Sequence, residues 1–294
     1  MKIKLQPGRY VIAVSGGVDS VVLLNMLSKL PEVELVVAHF DHGIREDSAE
    51  DKEFVEGLAE EYGLPFVGGA ALLGAGANEA TARMARYDFL YRVMSEHKAQ
   101  AIVTAHHQDD VIETIIMNLA RGTGRKGLSP MTTREGIVRP LLEISKAEIK
   151  EYAHKNNLLW REDSTNADTK YFRNYVRLQV VPKMTEGQKK ELLDLIKASH
   201  ERNEEIDELI DLFISENQKN EFNREGFIAL PHNVAGEVLS QLLRVNRLTF
   251  DRKNIEKLVV ALKTLPVGSK VPISGGAYFV IDKKMARISG IQSV

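Results

Sequence analysis

Ser15-Gly16-Gly17-Val18-Asp19-Ser20 stands between two apolar runs. Before it, Tyr10-Val11-Ile12-Ala13-Val14 reads as a buried parallel strand. After it, Val21-Val22-Leu23-Leu24-Asn25-Met26-Leu27 reads as the first turns of a packed helix. Paired glycines let the backbone turn tightly and approach a ligand without Cβ atoms in the way. The N–H groups of such a turn and the N-terminus of the following helix face one point, which suits an anion. Ser20 is suited to capping or to a phosphate contact, and Asp19 to a Mg²⁺ carried in by a polyphosphate. The same six residues also suit an ordinary strand-to-helix turn, and the turn alone does not separate these readings.

The alternation continues downstream. Residues 34 to 40 read as a second buried strand ending in the polar loop Asp41-His42-Gly43-Ile44-Arg45, and 48 to 62 as an amphipathic helix. A short third strand is expected at 63 to 67, a small-residue loop at 68 to 76, a long helix at 78 to 98, a fourth strand at 101 to 105 and a helix at 108 to 121. Within the loop, Gly74-Ala75-Gly76 is no dinucleotide fingerprint, because no third glycine follows and no strand leads tightly into it. Strands alternating with helices imply an α/β fold: a doubly wound parallel sheet with helices on both faces. A basic, glycine-rich connection spans 122 to 140. Ser145 caps a helix to about residue 156, with Glu148 completing a capping box. Polar residues then fill 163 to 168, and bases with aromatics fill 171 to 184.

With 294 residues, two domains are expected. An N-terminal α/β domain over 1–185, a helical linker over 186–220 and a mainly helical C-terminal domain over 221–294 are expected from the change in composition. The last of these ends in a β-hairpin at 267 to 289 around Gly275-Gly276. A formal net charge of −2 gives no global attraction to nucleic acid, so such binding needs local basic patches. The absence of cysteine excludes disulfides, thiolate zinc sites, iron–sulfur clusters and persulfide chemistry on this chain. Met1-Lys2-Ile3-Lys4-Leu5-Gln6-Pro7-Gly8 does not read as a signal peptide, and no apolar run approaches membrane-spanning length, so a cytoplasmic protein without membrane attachment is expected.

A second chemical signal is Ala105-His106-His107-Gln108-Asp109-Asp110-Val111-Ile112-Glu113-Thr114. It follows a strand and opens a helix, so it belongs on the sheet edge that carries the glycine turn. Asp110 and Glu113 share a helix face, suited to Mg²⁺ or to an ammonium group. Asp109 alone reads as a helix-start acid that favours the macrodipole. Arg83 and Arg86 sit three apart and suit phosphate oxygens, though a solvated helix face has the same composition. Two stretches suit nucleic acid: the cationic, flexible run from Arg121 to Gly127, with Arg125 and Lys126, and Lys170-Tyr171-Phe172-Arg173-Asn174-Tyr175-Val176-Arg177, where bases interleave with aromatics. Lys283-Lys284 in the final hairpin adds a further basic contact.

These pieces together resemble the tRNA(Ile)-lysidine synthetases, which belong to the ATP pyrophosphatases carrying a Ser-Gly-Gly-x-Asp-Ser turn. Beyond that turn the resemblance rests on Ala82-Arg83-Met84-Ala85-Arg86-Tyr87, the His-His-x-Asp-Asp-x-x-Glu-Thr pattern within 104–114, and Arg121-Gly122-Thr123-Gly124 with Gly127-Leu128. Arg139-Pro140-Leu141 and Glu162-Asp163-Ser164-Thr165-Asn166, followed by Arg173-Asn174 and Arg177, extend it. It runs in order from about residue 10 to 184. The tail resembles the family's first C-terminal domain by position, and the further C-terminal domain of longer members is not expected here.

The resemblance implies a two-step reaction. The wobble cytidine of a tRNA(Ile) CAU anticodon attacks the α-phosphate of ATP through its C2 oxygen, and the ε-amine of L-lysine then displaces AMP. By the same resemblance Ser15, Gly16, Gly17, Val18, Asp19 and Ser20 hold the polyphosphate, with Asp19 on Mg²⁺ or nucleotide and His39, His42 and His106 near the nucleotide. Arg83 or Arg86 neutralises developing charge, and Asp110 and Glu113 orient the lysine ammonium, with a carboxylate accepting its proton before attack. Arg173 and Arg177 hold tRNA phosphate or reach into the site, and Arg121, Arg125 and Lys126 of the basic run are expected to contact tRNA. A homodimer is the assembly left open. Among rivals, tRNA thiolases typically need the cysteines this chain lacks, and a P-loop NTPase needs a Gly-Lys-Ser/Thr ending that is absent. Another PP-loop adenylating enzyme acting on RNA or a small molecule, and a nucleotide-binding module without turnover, remain as alternatives.

Overall fold

The computed structural model describes residues 1, 3–41, 43, 48–71, 79–128, 136–161, 172–215 and 220–290. Two compact units divide the chain, Met1–Lys197 and Ala198–Val294.

In the first unit, β1 (Gly8–Ala13), β2 (Val33–Asp41), β3 (Phe66–Ala70), β4 (Ala101–Val103) and β5 (Ile137–Val138) form one parallel sheet in the order β3-β2-β1-β4-β5. Parallel neighbours need crossovers, which here carry the helices α1 (Val18–Leu27), α2 (Ser48–Glu61), α3 (Glu79–Glu96) and α4 (Gln108–Ala120). β1 is central because both its faces are apolar. Tyr10 and Ile12 join a core with Leu23 and Leu24 of α1 and with Ile149 of α5 (Lys146–Lys155). Val11 faces the other way, towards Phe89, Leu90 and Val93 of α3. Nearly every position of α1 is buried, Ser20 and Asn25 among them, as a helix apolar over most of its circumference requires.

From β1 the chain winds to β2 and β3 on one side, and β4 and β5 lie on the other. The strand order therefore reverses between β1 and β4. The crevice outside their carboxyl ends is where doubly wound sheets bind ligands, and it receives residues 14–20 and 104–110.

The structure differs from the sequence expectation in two strands. The third lies three residues later than 63–67, taking in Gly68 and Gly69, which pair with His39 and Phe40. Glycine disfavours strands in general. At Gly69 it is required, because a Cβ there would run into the Phe89 ring. The fifth strand is two residues long inside the expected connection 122–140, too short for periodicity to mark. Of the loop expected at 68–76, residues 68–70 belong to β3 and 72–76 lie outside the described residues, as does the loop expected at 163–168.

Beyond α5, the short helix α6 (Phe172–Tyr175) continues through a wide turn at Val176–Val180 and a 3₁₀ turn at Val181–Lys183. Val176 and Val181 pack on Ile112 and Met117 of α4. This turns a run that reads as basic surface inward, towards the start of α4.

The long helix α7 (Glu186–Ser215) passes from the first unit into the second. The second unit holds α8 (Arg224–Ala229), α9 (His232–Val245) and α10 (Arg252–Thr264). With them is an antiparallel sheet of β6 (Glu221–Asn223), β7 (Lys270–Pro272), β8 (Tyr278–Ile281) and β9 (Met285–Ser289) in the order β6-β9-β8-β7. The expected hairpin thus supplies three strands of four. Phe222, Phe227 and Phe279, all fully buried, centre its core. No described helix is long and apolar enough to cross a membrane.

Candidate active site

The glycine turn leaves β1 with Gly16 at φ +88, a conformation that L side chains rarely adopt, and Gly17 in extended backbone as the residue before α1. Ser20 Oγ donates to Gly17 O (2.9 Å), and Ser15 N–H donates to Ser20 Oγ (3.2 Å), so this serine staples the turn it closes. His39, buried on β2, donates from Nδ1 to Val14 O at 2.9 Å. Arg161 N–H donates to Gly16 O at 3.0 Å, while its guanidinium reaches Asp51 Oδ1 (2.5 Å) and Glu50 Oε2 (2.8 Å) of α2. The turn is thereby braced by β2, by its own serine and by the chain after α5.

Opposite it, the start of α4 concentrates charge. His107 N–H donates to Asp110 Oδ2 at 3.0 Å, which satisfies one of the orphan groups around the helix start. The buried His107 ring lies between two acids, with Nε2 3.7 Å from Asp19 Oδ1 and 3.5 Å from Asp110 Oδ2. Its Nδ1 is buried without a hydrogen-bond partner among the described residues. Behind it, Arg173 donates from Nη2 to Asp110 Oδ1 (3.2 Å) and from Nε to Glu113 Oε2 (3.1 Å). Arg177 donates from Nε to Glu113 Oε1 (2.7 Å) and from Nη2 to both Glu113 Oε2 (3.0 Å) and Asp110 Oδ1 (3.4 Å). Two carboxylates and two guanidiniums form a neutral cluster. Burial pushes the Asp110 carboxyl up, but the His107 ring, the His107 N–H, His106 and Arg173 outweigh it and hold it below its ordinary value.

Arg83 and Arg86 of α3 flank the Tyr87 ring, their guanidinium carbons 5.1 and 5.3 Å from its centroid. Burial lowers the Arg86 pKa, and Arg86 Nε is buried without a partner among the described residues. The His106 imidazole, whose Nδ1 is 2.8 Å from Thr104 Oγ1, is held down to about 3. Burial is the main cause; Asp110 opposes it, and Arg139, Arg86 and Arg83 add to it. The α3 arginines therefore act on the carboxyl end of β4.

The structure thus gathers Asp19, Arg83, Arg86, His106, Asp110, Glu113, Arg173 and Arg177 in one region, with His39 beneath the turn. Arg121, Arg125 and Lys126 lie at the opposite end of α4, about 20 Å along a helix of 13 residues. His42 lies outside the described residues. Three residues of the region do not figure among the candidates read from sequence: His107, Arg161 and Lys146, whose Nζ is 2.5 Å from Asp19 Oδ1. For Lys146 a signal existed, since a cation at the first position of a helix opposes the macrodipole. Chemically, the region pairs a glycine turn at a helix start, a geometry that suits an anion, with matched carboxylates and guanidiniums.

The model of the PP-loop domain matches residues 2–184. A tRNA(Ile)-lysidine synthase of Thermotoga maritima is 42% identical over 193 residues, covering 62% of this chain and 47% of that protein. The tRNA(Ile)-lysidine synthase of Chlorobaculum tepidum is 34% identical over 272 residues, covering 89% of this chain and 80% of that protein. Among solved structures, the U34-tRNA thiolase NcsA from Methanococcus maripaludis, with its 4Fe-4S cluster, superposes with a TM-score of 0.56 at 20% identity. It covers 67% of this chain and 74% of that one, a likeness of fold alone. The chain spans about half the length of the Thermotoga relatives. With a PP-loop domain over more than half its residues and a relative matched along most of both lengths, the chain belongs to the tRNA(Ile)-lysidine synthase family.

Proposed function

We propose that this protein is an ATP-dependent carbon–nitrogen ligase that converts the wobble cytidine of a tRNA(Ile) CAU anticodon to lysidine. The observation that carries the reading is the His107 bridge. One imidazole stands 3.7 Å from Asp19 of the glycine turn and 3.5 Å from Asp110 of the carboxylate–arginine cluster. A turn suited to phosphate and a pair of acids suited to a cation thus adjoin, which suits an adenylation of the C2 oxygen followed by attack of an amine on the C2 carbon of the same base.

In the first step the cytidine C2 oxygen attacks the α-phosphorus of ATP, the bond to the β-phosphate oxygen breaks, and pyrophosphate leaves. In the second, the ε-ammonium of L-lysine gives a proton to a carboxylate of the site, the free amine attacks C2, and the C–O bond to the adenylate breaks, releasing AMP. Charge stabilisation and alignment dominate such displacements, roles suited to the turn and to Arg83 and Arg86. Mg²⁺ enters with ATP. Asp19 offers one partly exposed carboxylate, and no three His, Asp or Glu side chains converge on a metal among the described residues, so phosphate oxygens would supply most of the remaining ligands.

Asp110 and Glu113 orient the lysine ammonium. Because both already pair with Arg173 and Arg177, the ammonium exchanges with or joins an arginine instead of filling an empty slot. A carboxyl held low binds a cation well and takes up a proton poorly, so the part of Asp110 is to hold the ammonium. Arg121, Arg125 and Lys126 contact tRNA, as does the second unit. The working form is cytoplasmic, with a homodimer as the assembly to be checked by sedimentation.

Incubation with ATP, labelled lysine and tRNA(Ile) bearing CAU tests the reading. AMP release with label entering the tRNA is the expected result. ATP binding without turnover would make the chain a nucleotide-binding module, and AMP release with another acceptor would make it a different PP-loop adenylating enzyme.

A further inference from the structure

Lys146 has no part in the roles above, yet it touches the glycine turn directly. Its ammonium pairs with Asp19, the only acid of the turn, at 2.5 Å. The residue is delivered there by a specific local construction. Ser145 and Glu148 close a capping box at the start of α5. Lys146 N–H donates to Asp109 Oδ1 at 3.0 Å, and Gln108 N–H donates to Ile144 O at 3.0 Å. Two hydrogen bonds thus tie the start of α5 to the start of α4 on either side of Ser145. Ile149 and Ala153 of α5 lock the helix into the core that also holds Leu23 and Leu24 of α1. Both partners of the ion pair remain about 30% exposed, so the ammonium is reachable from the crevice.

A partly exposed ion pair contributes little to stability, while a cation in a first helical turn opposes the macrodipole. Stability alone is a weak reason for this arrangement. Electrostatics supply a better one. A polyphosphate entering the turn brings negative charge beside the Asp19 carboxylate, and the two repel unless a cation stands between them. An ammonium has three donors and can hold a carboxylate and a phosphate oxygen together.

We propose that Lys146 is a ligand for the part of ATP that leaves as pyrophosphate. It rests on Asp19 while the turn is free of nucleotide and shares its charge with the polyphosphate when the turn fills, and Asp109 is its positioning residue. This rests on the reading of residues 15–20 as a nucleotide site, and goes beyond it by assigning the cation.

The test is binding of ATP, pyrophosphate and AMP to the full chain by calorimetry, without tRNA or lysine. Lys146→Met should weaken ATP and pyrophosphate about tenfold, the effect of losing one charge-assisted contact, and change AMP less than about twofold. Lys146→Arg, which keeps the charge, should stay within about threefold of the parent for all three ligands. Should Met disturb folding, Lys146→Gln gives the same comparison, since it keeps a polar stem and loses only the charge. Unchanged ATP affinity overturns the proposal, as does equal weakening of ATP and AMP, which a merely structural role would produce. Failure of the parent chain to bind ATP would instead overturn the nucleotide reading of the turn.

Discussion

Arg177 holds Glu113 with both ends of its fork: Nε lies 2.7 Å from Oε1 and Nη2 3.0 Å from Oε2. Glu113 is 1% exposed, and Arg173 adds a third contact to it. A buried carboxylate in such a frame depends on its guanidiniums, and parallel N–H···O pairs fix direction as well as charge. Among the described residues, removing Glu113 leaves Arg177 its longer contact to Asp110, and removing Arg177 leaves the buried Glu113 with Arg173 alone. Arg177→Ala should therefore cost about 3 kcal/mol in urea unfolding, and Glu113→Gln a similar amount, with the double substitution costing much less than the sum. Additive losses would show that the pair is not coupled.

Asp19 of the glycine turn faces both His107 and Lys146. Asp19→Asn keeps the shape and removes the charge. The ATP-dependent step, followed as pyrophosphate release with saturating tRNA, should fall by about 100-fold or more, the scale of losing a preorganised electrostatic group. Unfolding should change little, because the carboxylate is partly exposed. Activity within threefold of the parent would remove Asp19 from the reaction.

His106 carries a pH signature. Its folded pKa of about 3 lies below the ordinary 6.5, chiefly through burial, with Arg139, Arg86 and Arg83 adding to the effect and Asp110 opposing it. The unfolded chain thus takes up a proton near pH 6.5 that the folded chain refuses. The associated stability is complete above that pH and declines as the pH falls from 6.5 towards 3, by up to about 1.4 kcal/mol per unit. His106→Asn should flatten this part of the stability profile measured by denaturant titration between pH 7.5 and 5. An unchanged slope would assign the proton elsewhere.

Gly69 tests the packing of the sheet against α3. A Cβ there meets the Phe89 ring, so Gly69→Ala should destabilise the first unit by about 1–3 kcal/mol through overpacking. Phe89→Leu in the same chain should recover part of the loss by opening room beside β3. If Gly69→Ala unfolds at the parent's denaturant midpoint, the close approach carries no energetic weight.

Arg125 and Lys126 lie in the 3₁₀ turn that follows α4, tied back by Asn118 Nδ2 donating to Gly127 O at 2.9 Å. They stand apart from the carboxylate cluster, so their loss should act on tRNA affinity and not on ATP affinity. The double Ala variant should lower the salt slope of tRNA binding by about one to two, as each phosphate contact releases counterions. An unaltered slope would take this turn out of the tRNA surface.

The fold was legible in sequence wherever the signal was local. Apolar runs of four to seven residues marked β1, β2 and β4, and Ser145 with Glu148 marked the start of α5. Once strands alternate with helices, the carboxyl ends share an edge, which is why residues 15–20 and 106–113 were readable as neighbours. β5 and the position of β3 were not legible, since two residues carry no period and Gly68-Gly69 takes its strand state from pairing and from the Phe89 ring. The candidate residues divide in the same way. Residue type and spacing named Asp19, Asp110, Glu113, Arg173 and Arg177, but not their pairing. That Arg173 and Arg177 turn inward to Asp110 and Glu113 depends on Val176 and Val181 packing against α4, some sixty residues away in the chain. The Asp19–Lys146 contact spans 127 residues and arises because α5 docks beside α1. Local patterns set which groups are present; the closing of the core decides which opposite charges meet, because only burial brings distant side chains within the few ångströms over which they bind.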